Sequence, residues 1–208
     1  MTNQMKKKVP LRIRHIIRPL ISTIYYYKPS PEHRQLRMQI TKLQNLPNRT
    51  PPPTGYAIRT FQRDDETAWV NIIKAAFGKK LTDSPERILN NILTKPDFDP
   101  KSFFLAIHNN EPVGAIIALT ITTDSTELGY INLVAVIPSH QGKQLGKTLT
   151  LEALHYFKKQ GLQTVILDTD DFRLKAIKTY LNLGFKPVYI NREHKQRWSK
   201  ILKEISEE

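Results

Sequence analysis

Apolar positions along this chain change period repeatedly, and each change marks an element. Residues 56–61 alternate as a first strand. Residues 64–77 follow a helical period, with Asp64 or Asp65 near the N-cap and Gly78 after the last turn. Ser84-Pro85-Glu86 opens a second helix, Ser84 as cap and Pro85 in its first turn. Three strands are expected next, over residues 102–107, 113–122 and 127–137, the first two joined by a hairpin turn at Asn109-Asn110. A helix over 142–160 carries Leu145, Leu149, Leu154 and Phe157 at compatible spacing, and Gly161 stops it. Strand 164–167, helix 172–183 and strand 185–190 complete the core. Trp198, Ile201, Leu202 and Ile205 have helical spacing near the end. Helices among strands in this order predict an α/β domain.

One junction carries the chemistry. Residues 131–146 read Ile-Asn-Leu-Val-Ala-Val-Ile-Pro-Ser-His-Gln-Gly-Lys-Gln-Leu-Gly. Leu133 to Ile137 is apolar on both faces, as a buried strand should be, and Pro138 ends it. A helix starting directly after a strand points unpaired N–H groups at whatever sits above it. Gly142 and Gly146 let a ligand approach the backbone, and Lys143 and Lys147 add positive charge. Together they make a site for a phosphate or pyrophosphate. Residues 141–148, Gln-Gly-Lys-Gln-Leu-Gly-Lys-Thr, match a P-loop whose first glycine is glutamine. A nucleotide-binding reading would need a second magnesium carboxylate, and Asp168 after Ile166-Leu167 is the one candidate.

The same residues resemble another family. Val136-Ile137-Pro138, with Gln141, Gln144 and Gly146 spaced as Gln/Arg-x-x-Gly-x-Gly/Ala, is similar to the coenzyme A turn of the GNAT superfamily of N-acetyltransferases. Gln144 stands where that family has glycine. A second block, Ala176 to Phe185, resembles the family's Asn-x-x-Ala-x-x-x-Tyr-x-x-x-Gly-Phe, with Arg173 at the asparagine position. The resemblance covers roughly residues 55–190. It implies a strongly twisted mixed sheet flanked by helices, and direct transfer of the acetyl group of acetyl-coenzyme A to an amine. It implies a cofactor site made of Gln141, Gly142, Lys143, Gln144, Leu145, Gly146, Lys147 and Arg173. The backbone of Leu133, Val134 and Val136 would pair with the pantetheine arm. Tyr180 matches the tyrosine that protonates the departing thiolate. Tyr130 and Asn132 fall on the acceptor-facing side, and Glu127 is the nearest carboxylate to serve as base. The family's closing strand, which helps hold the acceptor, is not evident in the pattern. A non-catalytic protein of the same fold that binds or senses acyl-coenzyme A is the alternative, with Gln144 and Arg173 as its signs.

Composition narrows the chemistry. The 208 residues suffice for one domain. There is no cysteine, which excludes disulfides, zinc-thiolate sites and a thiol nucleophile. No apolar run approaches transmembrane length. No cluster has metal-ligand spacing, so no metal is expected. A cytoplasmic enzyme acting on a small amine or a peptide fits these limits. The formal charge of +13 is uneven: residues 1–54 hold eleven Lys and Arg against a single acid, Glu32, a net +10. This predicts a basic N-terminal extension (1–54) ending in a Pro-rich linker at 47–53, ahead of a domain over 55–208. Ile13, Ile16, Ile17, Leu20, Ile21 and Ile24 lie at helical spacing among Arg12, Arg14, His15 and Arg18, with Pro19 interrupting. Such a segment suits an anionic membrane or a nucleic acid. The plainer reading, that it packs on the chain's own core or on a second subunit of a homodimer, is the favoured one.

Overall fold

The computed structural model describes residues 35–78, 81, 83–123 and 126–207. The amphipathic stretch at 13–24 lies outside them. The described strands are β1 (Leu36–Thr41), β2 (Tyr56–Thr60), β3 (Phe103–His108), β4 (Glu111–Thr123), β5 (Thr126–Val136), β6 (Thr164–Thr169) and β7 (Lys186–Val188). The α-helices are α1 (Glu66–Phe77), α2 (Pro85–Leu93), α3 (Leu145–Lys159), α4 (Leu174–Asn182) and α5 (Arg192–Glu207). The strands form one mixed sheet in the order β2-β3-β4-β5-β6-β1-β7. Only β5 and β6 run parallel; the other neighbours are antiparallel.

Local chemistry sets the ends. Ser84 accepts the N–H of Arg87 at the start of α2. Asn109 and Asn110 both take positive φ, 49° and 65°, which closes the β3–β4 hairpin in two residues. Asp64 also has positive φ, and Asp65 does not cap α1 with its side chain. Asp65 instead takes both Arg59 nitrogens (2.6 and 2.8 Å) and the Gln62 N–H (2.7 Å), tying α1 to β2.

β1 overturns the expected boundary at residue 54. Leu36, Met38 and Ile40 are buried, and the strand lies between β6 and β7. It occupies an inner sheet position. The supposed linker also belongs to the fold. Leu43 is 1% exposed, Arg49 pairs with Glu152 (2.9 Å), and His155 contacts the Pro47 carbonyl (3.0 Å).

Each face of the sheet carries its own core. On one face, α3, α4 and α5 bury Leu149, Phe157, Ile177, Trp198 and Ile201 against Phe104, Ala106, Ile116, Ile131, Leu167 and Met38. On the other, α1 and α2 bury Trp69, Ile72, Ile73 and Ile88 against Phe103, Leu105, Ala115 and Ile117. Gly129 is required where α3 crosses β5 and β6. A Cβ there would stand 2.8 Å from the Val165 side chain and 2.9 Å from the Phe157 ring.

Candidate active site

The site begins where β5 leaves β6. Their parallel pairing runs through Gly129↔Val165, Tyr130↔Ile166 and Ile131↔Leu167, and then stops. One residue later β5 bulges against β4: Ala115 pairs with Ala135 and Ile117 with Asn132, so β5 holds one extra residue. Leu133 takes φ 50° to make that bulge. The strands part here, and a cleft opens between them. It is lined from β5 by residues 130–134 and from β6 and its exit by residues 167–170. Tyr180 and Arg173 close it on the α4 side, Phe77 at the end of α1, and Gln35 just before β1.

Past the cleft, β5 runs into a 3-10 turn, Pro138–His140, and then the start of α3. Gln141 braces the turn, its Nε2 donating to the Val136 carbonyl at 2.9 Å. Gln144 sits in the left-handed region (φ 58°, ψ 10°), the conformation that favours glycine, so the backbone path suits glycine although the residue is glutamine. The first helical bond is Thr148 N–H to Gln144 O (3.0 Å). The N–H groups of Leu145, Gly146 and Lys147 precede it and have no place in the helical ladder. A Cβ on Gly146 would meet nothing within 4 Å, so the space above the helix start is open. Free N–H groups, an open approach and the positive end of a helix suit a pyrophosphate. Gly142 takes φ 78°. Lys143 turns elsewhere, its Nζ 5.8 Å from the Tyr56 ring centroid. Tyr56 in turn hydrogen-bonds His140 (OH to Nδ1, 2.7 Å).

Tyr180 is 7% exposed, and burial pushes its phenol up to about 12, with Arg173 pulling in the opposite sense. Arg173 lies over the Phe77 ring at 4.7 Å and pairs with Asp170 at 3.3 Å. Asp168 is gripped at both oxygens by Arg37 of β1, at 3.0 Å each. Tyr130 and Asn132 are buried and line the cleft.

Glu127 does not join them. It pairs with Thr122 near the far end of the β4–β5 hairpin and is exposed. Alternation in this regular stretch puts it on the opposite face from Tyr130 and Asn132. Three residues of rise, about 10 Å, separate it from Tyr130. Glu127 thus lies outside the residues that line the cleft, on the face away from Tyr130 and Asn132. The cleft carboxylates are Asp168 and Asp170, in Leu-Asp-Thr-Asp-Asp at the end of β6. Sequence reasoning weighed Asp168 only as a magnesium ligand. A carboxylate directly after an apolar strand was the signal for it. Gln35 and Phe77 carried none, because their place depends on β1 entering the sheet and on where α1 ends. Among the described residues no group of His, Asp and Glu could hold a metal ion.

Residues 57–185 match the model of the acetyltransferase (GNAT) family. A mycothiol acetyltransferase of Frankia casuarinae is 34% identical over 148 residues, 64% of this chain and 42% of that protein. One from Streptomyces scabiei is 33% identical over 175 residues, 83% of this chain and 54% of that protein. The chain thus spans about half the length of the curated relatives it matches. Among solved structures, a GCN5-related N-acetyltransferase from Sphaerobacter thermophilus superposes with TM-score 0.56 at 23% identity, over 83% of this chain and 52% of that one. A chain of the NatC complex bound to Gag peptide and coenzyme A superposes with TM-score 0.58 at 17% identity, over 65% of this chain and 87% of that one. These likenesses concern the fold. The family match spans the turn at 141–147, so the P-loop reading falls. The turn also follows a strand whose other neighbour, β4, is antiparallel, unlike the parallel sheet around a P-loop.

Proposed function

Since the chain belongs to the GNAT family of acetyltransferases, we propose that it is an acetyl-coenzyme-A-dependent N-acetyltransferase acting by direct transfer to an amine. The observation that carries this reading is the parting of β5 from β6 directly before a helix start with free N–H groups and open space at Gly146. The N–H groups of Leu145, Gly146 and Lys147 hold the pyrophosphate. The β5 backbone at Leu133, Val134 and Val136 orients the pantetheine arm in the cleft. The thioester supplies the acetyl carbonyl and a thiolate leaving group. Backbone N–H at Val134 polarises the carbonyl as the amine attacks its carbon. The attacking nitrogen gives up its proton to water. As the C–S bond breaks, the Tyr180 hydroxyl gives its proton to the sulfur, and the phenolate recovers a proton from that water. Arg173 supports the cofactor end from α4.

Acetyl-coenzyme A should raise the melting temperature, because a ligand that binds only the folded state stabilises it. Gly146→Trp should abolish that rise by filling the space above the helix. A wild-type melt unmoved by millimolar acetyl-coenzyme A, or an equal response from Gly146→Trp, would overturn the assignment.

The acceptor is a small amine or a peptide. The named activity of the relatives makes amine-bearing compounds related to mycothiol the first acceptors to test. The positive φ of Gln144 and the presence of Arg173 keep one second reading in view, a protein that binds acyl-coenzyme A without transferring it. Thioester consumption with an added amine separates the two. Among the described residues no helix is long and apolar enough to cross a membrane. We place the enzyme in the cytoplasm and propose the basic residues within 1–34 as the part that meets an anionic surface or a nucleic acid.

A further inference from the structure

Asn132 is 7% exposed, and its Nδ2 has no hydrogen-bond partner among the described residues. Buried amides are nearly always paired, so an orphaned one in a cleft marks a place where a ligand completes the bond. The register fixes which side of the sheet it serves. Asn132 stands opposite Ile117, and Tyr130 opposite Leu119. Ile117 belongs to the core beneath α1 and α2. The Asn132 side chain therefore faces the α1 side, where Phe77 forms the wall, and away from α3 and the pyrophosphate turn. A ligand reaching in from that turn meets β5 through its backbone, in the gap beside β6. A group that meets the Asn132 side chain comes from the opposite face. On the acetyltransferase reading, which this inference rests on, that second group is the acceptor.

An N–H donor cannot serve the attacking nitrogen, because its lone pair must stay free to reach the carbonyl carbon. The donor needs an oxygen. Asn132 lies two residues from Val134, so this oxygen sits close to the reacting centre. We infer that Asn132 is a specificity-determining residue: its carboxamide donates to a carbonyl or hydroxyl oxygen carried beside the acceptor amine, as in an α-amino carbonyl compound or a 2-amino alcohol.

Two nearly isosteric pairs of amines test this: 2-aminoethanol against propylamine, and glycinamide against isobutylamine. Each is assayed for thioester consumption with the wild type, Asn132→Leu and Asn132→Ser. Differences in basicity within a pair cancel when the wild-type ratio is divided by the variant ratio. The wild type should favour the oxygen-bearing member, relative to Asn132→Leu, by about 10-fold or more in kcat/KM. Asn132→Ser, which keeps a donor, should recover part of that preference. Asn132→Leu should melt no lower than the wild type, since it replaces an unpaired buried amide with an apolar side chain of similar size. Its response to acetyl-coenzyme A should be unchanged. Equal ratios in wild type and Asn132→Leu would overturn the inference alone. So would loss of the acetyl-coenzyme A melt response in Asn132→Leu, which would assign the amide to the cofactor. Binding of acetyl-coenzyme A with no turnover of any amine would overturn the transfer reading itself.

Discussion

Tyr180 shows how position confers chemistry on an ordinary side chain. Its ring packs edge-on against Phe185 at 5.9 Å, as a core tyrosine would, yet it also lines the cleft. Burial pushes the phenol up to about 12, so it stays protonated at neutral pH and can donate. Tyr180→Phe keeps the ring and removes only the donor. Turnover should fall by about 10²-fold, with the melting response to acetyl-coenzyme A retained. Unchanged turnover would leave Tyr180 a core residue. The raised value also has a stability consequence. The folded pKa lies above the unfolded one, so this contribution is full below the unfolded value of 10.0 and is lost as pH rises through about 12. Melting temperature should therefore fall more steeply between pH 10 and 12 in the wild type than in Tyr180→Phe. Parallel curves would contradict the burial argument.

Among the elements, β1 has the largest consequence for the site. It pairs with β6 over Leu36↔Thr169 to Thr41↔Thr164, and with β7 over Arg37↔Val188 to Gln39↔Lys186. Its odd-numbered residues continue the cleft face, where Arg37 clamps Asp168, and its even-numbered residues enter the core. A chain beginning at residue 55 lacks this inner strand and should not fold cooperatively. One beginning at residue 35 should melt like the full chain. Met38→Ala should cost about 2–5 kcal/mol, as for a fully buried large side chain. Circular dichroism melts of the four proteins (full chain, both truncations and Met38→Ala) check this. A stable, cooperative melt of the 55–208 chain would show β1 to be dispensable.

At the scale of the whole molecule, the proposed cofactor and acceptor would reach one gap from opposite faces. The α3 side offers the turn at 141–147, and the α1 side offers Tyr130, Asn132 and Phe77. Charge is divided differently. Residues 1–34 hold eight Lys and Arg and one acid, a net +7, which leaves +6 for residues 35–208. If the first segment engages anionic surfaces, the full chain should bind anionic vesicles or nucleic acid with an affinity that falls steeply with salt. The chain from residue 35 should bind far less. Binding that ignores salt, or that survives the truncation, would remove the basic segment from that role.

Local pattern alone locates the elements from residue 56 onward to within a few residues. Helical and strand periods are local, and Ser84, Pro138, Asn109-Asn110 and Gly161 punctuate them through local chemistry. The strand, turn and helix start at 131–146 were legible too, because glycine spacing and a helix start are contiguous features. Other features depend on pairing between distant segments. Residues 36–41 are a short apolar alternation beside a basic segment and ahead of a proline-rich one, and local pattern gave them to an extension. Only pairing with β6, some 130 residues away, makes them an inner strand. Glu127 was misplaced for a related reason. Being the nearest carboxylate in sequence does not put it on the right face, and strand alternation put it on the wrong one. The cleft that gathers Gln35, Phe77, Asn132 and Asp168 exists because β5 stops pairing with β6 after Ile131. Long-range register is a property of the assembled sheet, and no single segment encodes it.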